Sequence, residues 1–258
     1  MRSRGFLAGL SFCMVAASAV AQEVSEGARA ARSPAEVQAA RLARTGGLVT
    51  HREPGASVVI IDARPAGKSR GWETLRHDME SFCGVPFDFR ENPMGWRGTP
   101  LKVARAALSG KSAAGVAIVL SEEGADAPGM TVYPEDRMAF VNATRICVGA
   151  PTPEVAERRI TTQLWRAVCF AAGGVNTRSP HCALSSVVLA PEDIDGLSAR
   201  MPCPEACSQV EASAGKLGLG KVRTATYRTA CIQGWAPAPT NGYQRAIWDE
   251  VKEKGKGE

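Results

Sequence analysis

Histidine is nearly missing from this chain. There are three in 258 residues, at 51, 77 and 181, and none lies four residues from another. Two His at that spacing on one helix face would reach a single metal, so that arrangement has no residues to build it. A GxSxG nucleophile turn and a phosphate-cradling GxxxxGK[ST] loop are also lacking. The segment LGLGKV at 217–222 has neither the preceding strand nor the full spacing of a nucleotide loop, and reads as a helix C-cap and turn. Beyond residue 21, no apolar run approaches the roughly 20 residues of a membrane span. Charge is weak and scattered, 31 basic against 26 acidic side chains, which argues against a nucleic-acid partner. Glu122-Glu123 and Glu135-Asp136 read as solvated ends. His51, in THREPG, and His77, on a mixed helix face, read as surface residues.

What is present begins with a leader. Arg2 and Arg4 precede an apolar run from Gly5 to Val20, and Ala19-Val20-Ala21 supplies small residues for cleavage before Gln22. The expected signal peptide is 1–21, and the product is periplasmic or extracellular with no remaining transmembrane anchor. Phe12 before Cys13 is too bulky for a lipid-anchoring site. Cleavage removes Arg2 and Arg4 and takes the net charge from +5 to +3.

Seven cysteines then remain, at 83, 147, 169, 182, 203, 207 and 231. Export favours disulfides. The odd number leaves at least one thiol free or paired with another chain, and Cys169, among apolar helical neighbours, is the candidate. His181, Cys182, Cys203 and Cys207 offer four ligands of the right type for a structural zinc, with CxxxC spacing within range. An oxidising space favours bridges over that metal, so no cofactor is expected. A Cys/His dyad from His181 and Cys182 is poor, because adjacent side chains on extended chain point apart.

Three helix starts share a hydroxyl residue followed by Pro: Ser33-Pro34, Thr99-Pro100 and Thr152-Pro153. The first adds Glu36 and so a capping box. The β-branched run 57–64 and the run 115–123 suit buried strands. Between them, 71–84 carries Trp72, Leu75, Met79 and Phe82 at three- and four-residue spacing, 85–91 alternates as a strand, and 100–110 is a short helix. Strands at 130–134 and 138–146 join through a tight PED turn. A long helix over 153–172 has Ile160, Leu164, Val168 and Ala171 as its core stripe. Helices are expected over 204–219 and from Asn241. The fold class is therefore mixed α/β: a twisted sheet with an edge strand, one long central helix, and a Cys-rich helical C-terminal part. The expected divisions are 22–56 as N-terminal helix and linker, 57–182 as the core, and 183–258 as the C-terminal part.

In RITTQLWRAVCFAAGGVNTRSPHC (159–182) a helix ends in a Gly pair and His-Cys follows. With the strand order before it, this layout resembles the metzincin-like zinc peptidases, archaemetzincins in particular, over roughly 57–207. That family carries HExxHxxGxxH on its long helix. With Gly173 as the helix-ending Gly, the first His falls on Arg166, the Glu on Ala167 and the second His on Phe170. His181-Cys182 matches the third His and its Cys neighbour, while Val187 and Leu189 stand where a structural Cys and the Met of the turn would be. A guanidinium is a fixed cation, Phe170 has no lone pair and Ala167 accepts no proton. The resemblance thus implies the fold and, at these positions, excludes the family's hydrolysis. The stretch from Thr226 to Val251 (TYRTACIQGWAPAPTNGYQRAIWDEV) also looks like endings shared by uncharacterised bacterial secreted proteins. Trp235, Tyr243 and Trp248 flank its Pro-rich piece and are candidates for a recognition surface.

The expected function is an exported, non-catalytic peptidase-like domain with a binding or scaffolding role toward a protein or peptide. A hydrolase with an unrecognised site and a disulfide-braced envelope protein are the alternatives.

Overall fold

The computed structural model of the chain describes residues 33–65, 72–91, 99–109, 113–198 and 200–254. The expected leader and Cys13 lie outside these residues. By compactness the chain forms two units. One is Thr50–Thr224. The other combines Met1–Val49 with Ala225–Glu258, described over 33–49 and 225–254. Residues 183–224 thus fall in the same unit as the sheet. The residues expected as a linker divide, those up to Val49 falling with the chain's far end.

The larger unit is built on a five-stranded sheet. Its strands are β2 (Val58–Asp62), β3 (Phe87–Glu91), β4 (Val116–Ser121), β5 (Met130–Tyr133) and β6 (Met138–Asn142), in the order β3-β2-β4-β6-β5. The first four in that order run parallel, and β5 is antiparallel at the edge. This is the mixed sheet with an edge strand that the sequence pattern predicts. Every residue of β2 and β4 is buried, as central parallel strands covered on both faces require.

Helix α2 (Trp72–Cys83) carries the chain from β2 outward to β3, and α3 (Pro100–Leu108) brings it back past β2 to β4. Right-handed crossovers in opposite directions place their helices on opposite faces. The side chains agree. Val58, Ile60, Ile118 and Leu120 pack with α2 and the long α5 (Pro153–Ala171), whereas Val59, Ile61, Ala117 and Val119 pack with Val103, Ala104 and Ala107 of α3. The turn between β5 and β6 closes by the Arg137 N–H donating to Pro134 O at 3.0 Å, with Arg137 at φ +57°.

Several expectations shift. The apolar stripe of α2 ends on Cys83, and Phe82 is half exposed, meeting Trp165 edge-on. The helix expected over 204–219 is α7 (Pro204–Ser213), followed by glycine-containing turns in which Gly218 takes φ +67°. Helices α4 (Ala143–Ile146) and α6 (Pro191–Asp195) were not legible; each is about one turn long, too short for a period to show. Nor was the two-stranded sheet of β1 (Leu48–Arg52) and β7 (Val222–Thr226). Most of β1 is exposed, so no buried face marks it in the pattern.

Among the described residues no two sulfurs lie at bonding distance, and the seven cysteines there stand as thiols. Cys83 and Cys207 come to 3.8 Å between sulfurs, which is hydrogen-bond geometry and far beyond the ~2 Å of a bond. Cys169 is a fully buried free thiol, as expected.

The smaller unit holds α1 (Pro34–Arg44), α8 (Tyr227–Ile232) and α9 (Gly242–Lys254). The capping box at Ser33 is in place: Glu36 N–H donates to Ser33 Oγ, and Ser33 N–H donates to the Glu36 carboxylate. Gln244 on α9 donates to Gly46 O at 3.1 Å, and Tyr227 N–H donates to Gly47 O at 2.9 Å.

Candidate functional site

Thr152 opens α5 by accepting from Val155 N–H, with Pro153 at its first position. The expected core stripe, Ile160, Leu164, Val168 and Ala171, is buried. A second stripe is buried too, and it is polar. Arg159, Gln163 and Arg166 follow one another at spacings of four and three, so they share one helix face.

The two arginines of that stripe differ sharply. Arg159, 1% exposed, is fully engaged: it donates to both Asp195 oxygens and to the Ile146 and Val148 carbonyls. Arg166, 3% exposed, donates from Nη1 to Ala183 O at 2.5 Å and rests 5.4 Å from the Phe170 ring centroid. Its Nε has no partner, and neither has Oε1 of Gln163. Burial presses the Arg166 pKa below its ordinary value, since no carboxylate is close enough to offset the desolvation.

Gln163 and Arg166 lie in the wall of a cleft of about 320 Å³. One side of it is the approach to β5, Asp126–Met130. Arg145 and Ile146 come from the end of α4, and Val188–Pro191 with Ile194 close the rest. The cleft thus runs beside the edge strand, over the long helix, with Leu189 86% exposed at its rim.

Of the residues singled out in the sequence, Arg166 and Leu189 are at the cleft. Ala167 is buried in the core, Phe170 is half-buried beneath the guanidinium, and neither lines the cleft. Gly173 ends the helix at φ +82°, with its N–H donating to Phe170 O while Gly174 N–H donates to Cys169 O. This is the paired bonding of a Schellman cap. A side chain on Gly174 would come within 2.7 Å of Cys169 O, which accounts for the Gly pair.

Arg166, Ala167 and Phe170 offer a guanidinium, a methyl and a phenyl ring, none of which ligates zinc. The four structural-zinc candidates do not converge either. His181 is exposed, while Cys182 is fully buried and its sulfur accepts from Cys203 N–H at 3.1 Å and Leu184 N–H at 3.4 Å. Cys203 meets Thr177, and Cys207 meets Cys83. Among the described residues, no three His, Cys, Asp or Glu side chains gather to hold a metal. Burial pushes the Cys182 thiol up, but hydrogen bonds from Thr177, from the Cys203 side chain and from two backbone N–H groups hold it below its ordinary value.

In the smaller unit, Trp248 and Cys231 line a hollow of about 200 Å³, with Lys252 Nζ 4.5 Å from the Trp248 ring centroid. Tyr243 is exposed and Trp235 bonds Gln233 through its indole N–H; neither lines that hollow. The three aromatics therefore do not gather around it.

No family model matches the sequence, and no curated protein matches it. Two solved structures are similar. The archaemetzincin of Methanopyrus kandleri aligns with 62% of this chain and 96% of its own, at 13% identity and a TM-score of 0.44. A zinc-dependent peptidase of Methanocorpusculum labreanum aligns with 60% of this chain and 100% of its own, at 13% identity and a TM-score of 0.42.

Gln163 and Arg145 are cleft residues that ligand-by-ligand comparison passes over. Gln163 could have been found from the helix alone, because it sits one turn before Arg166 on the same face. Arg145 comes from a segment too short for its direction to be read.

Proposed function

We propose that the chain is an exported domain of peptidase-like layout that binds a peptide or protein segment in its cleft and does not hydrolyse it. One observation carries this: the helix wall of the cleft is a buried guanidinium and an amide. The guanidinium has no lone pair for a metal, and neither group takes a proton from water. The described lining holds no His or Cys, and its one carboxylate, Asp126, is exposed on the approach to β5. The edge strand beside it supports the choice of ligand, since an unpaired strand edge offers backbone donors and acceptors to an extended chain.

Incubation of the purified mature protein with a random peptide pool, read by mass spectrometry of bound and free peptides, tests this. Peptides retained intact are expected. Cleavage that a chelator abolishes would overturn the proposal in favour of a hydrolase, and a pool neither bound nor cut would favour a structural role. Export is checked separately: the periplasmic or secreted protein should begin at Gln22, and a product retaining Met1 in the cytoplasm would contradict it.

A further inference from the structure

Among the described residues, five charged side chains are buried: Asp62, Arg64, Glu80, Arg159 and Arg166. Four have an opposite charge in contact. Arg64 holds Asp62 at 2.8 Å, Arg52 holds Glu80 at 2.8 Å, and Arg159 holds Asp195. Arg166 is the exception. A buried guanidinium normally has its charge met by an anion and its five donors shared out. Here one donor reaches a carbonyl and Nε points at nothing. Cys182 lies close enough to act on its charge, but that sulfur takes its hydrogen bonds from Thr177, Cys203 and the backbone.

The unmet groups lie together. Arg166 Nε is a donor without an acceptor, and Gln163 Oε1, one turn earlier on the same face, is an acceptor without a donor. Both belong to the wall of one cleft of about 320 Å³, which at ~30 Å³ per water holds on the order of ten waters. That is the small end of the range for ligand pockets. Around them stand apolar side chains, Met130, Ile146 and Leu189, a second guanidinium, Arg145, and the approach to the edge strand, which carries the exposed Asp126.

We infer that Arg166 and Gln163 form a subsite for the C-terminal residue of a peptide, its carboxylate on the Arg166 guanidinium and its amide N–H on the Gln163 oxygen. A carboxylate matches the guanidinium fork and supplies the missing charge. The last residue of a peptide carries that carboxylate and, one residue's length away, an N–H donor. An isolated anion supplies only the first. The apolar walls take the terminal side chain, and the upstream residues leave along β5. This inference rests on the binding role proposed above.

Three pools of random decapeptides decide it: one with free C-termini, one amidated, and one amidated with a fixed internal Glu. Retention of each on the immobilised mature protein is measured by mass spectrometry. The free-acid pool is expected to bind at least tenfold more tightly than either amidated pool. Arg166→Gln should bring it down to the amidated level. Leu189→Glu should do the same by placing a like charge at the rim, at an exposed position where folding is not at stake; it decides the matter should the Arg166 variant misfold. Equal retention of acid and amide pools overturns the subsite while leaving peptide binding standing. Retention of the internal-Glu pool as strong as that of the free-acid pool overturns the C-terminal assignment. Retention of no pool overturns both.

Discussion

Arg159 and Arg166 sit seven residues apart on one helix face, and their surroundings predict opposite responses to the same substitution. Arg159→Met strips two carbonyls of their donor and leaves Asp195 with only the longer contact to Arg158. It should cost about 2–3 kcal/mol, below the range for breaking a fully buried pair because Asp195 keeps some contact with water. Arg166→Met removes a desolvated charge that has one hydrogen bond to lose. It should leave stability within about 1 kcal/mol or raise it. Urea titration of both variants checks the contrast. A carboxylate on α9 gives a pH test. Arg228, then Lys254, hold the Glu250 pKa down to about 2. A depressed carboxylate contributes stability that is present above its unfolded pKa, about 4.3, and is lost as the pH falls through the folded value. The melting temperatures of wild type and Glu250→Gln should therefore differ at neutral pH and converge between about pH 4 and pH 2. A gap that widened on acidification would contradict the pairing. At this scale the sequence was half legible. Arg166 stood out because a guanidinium is incompatible with the ligand pattern around it. That it would be buried and unpaired depends on Ala183 and the 188–191 loop, whose course no local pattern encodes.

Elements were easiest to read where one physical signal dominates. The strands β2 and β4 are continuous apolar runs because both faces are covered, and α1, α3 and α5 announce themselves by a hydroxyl residue and Pro. The signal is not uniform: Ser33 and Thr152 cap with their side chains, while Thr99 does not. The polar stripe of α5 was hidden, because Arg, Gln and Arg at helical spacing look the same in sequence whether they face water or a cleft. The Gly pair closing α5 makes its own prediction. Gly173→Ala should cost about 1–2 kcal/mol, the penalty of the left-handed conformation for a residue with a Cβ. Gly174→Ala should cost as much or more through collision with the Cys169 carbonyl. Gly215→Ala, where an added Cβ meets nothing and φ is not positive, is the control and should be nearly neutral. Thermal melts of the three separate the two mechanisms from a general intolerance of substitution.

For the molecule as a whole, the thiols link compartment to stability. Cys83 S–H donates to the Cys207 sulfur. That bond holds the Cys207 thiol below its ordinary pKa and, with burial, raises that of Cys83. In an oxidising space, a disulfide-bearing oxidant would take two electrons and two protons from this pair as the sulfur–sulfur bond forms, becoming two thiols itself. The bridge would close a loop of more than a hundred residues and add on the order of 4 kcal/mol by restricting the unfolded chain. Peptide mapping of the protein after exposure to such an oxidant should recover a Cys83–Cys207 link. Cys207→Ser should lose stability relative to wild type when both are oxidised, and far less when both are reduced. Recovery of both cysteines as free thiols after that exposure would refute the pairing.

The smaller unit is assembled from segments almost two hundred residues apart. Gly46 and Gly47 offer carbonyls that are taken by Gln244 and Tyr227. During synthesis α1 therefore emerges with its partners unmade, and it stays without them until the ribosome has passed α9. Loss of residues 242–254 should thus be felt at α1, as protease cuts near Arg41 and Arg44, while the sheet and its cleft remain resistant.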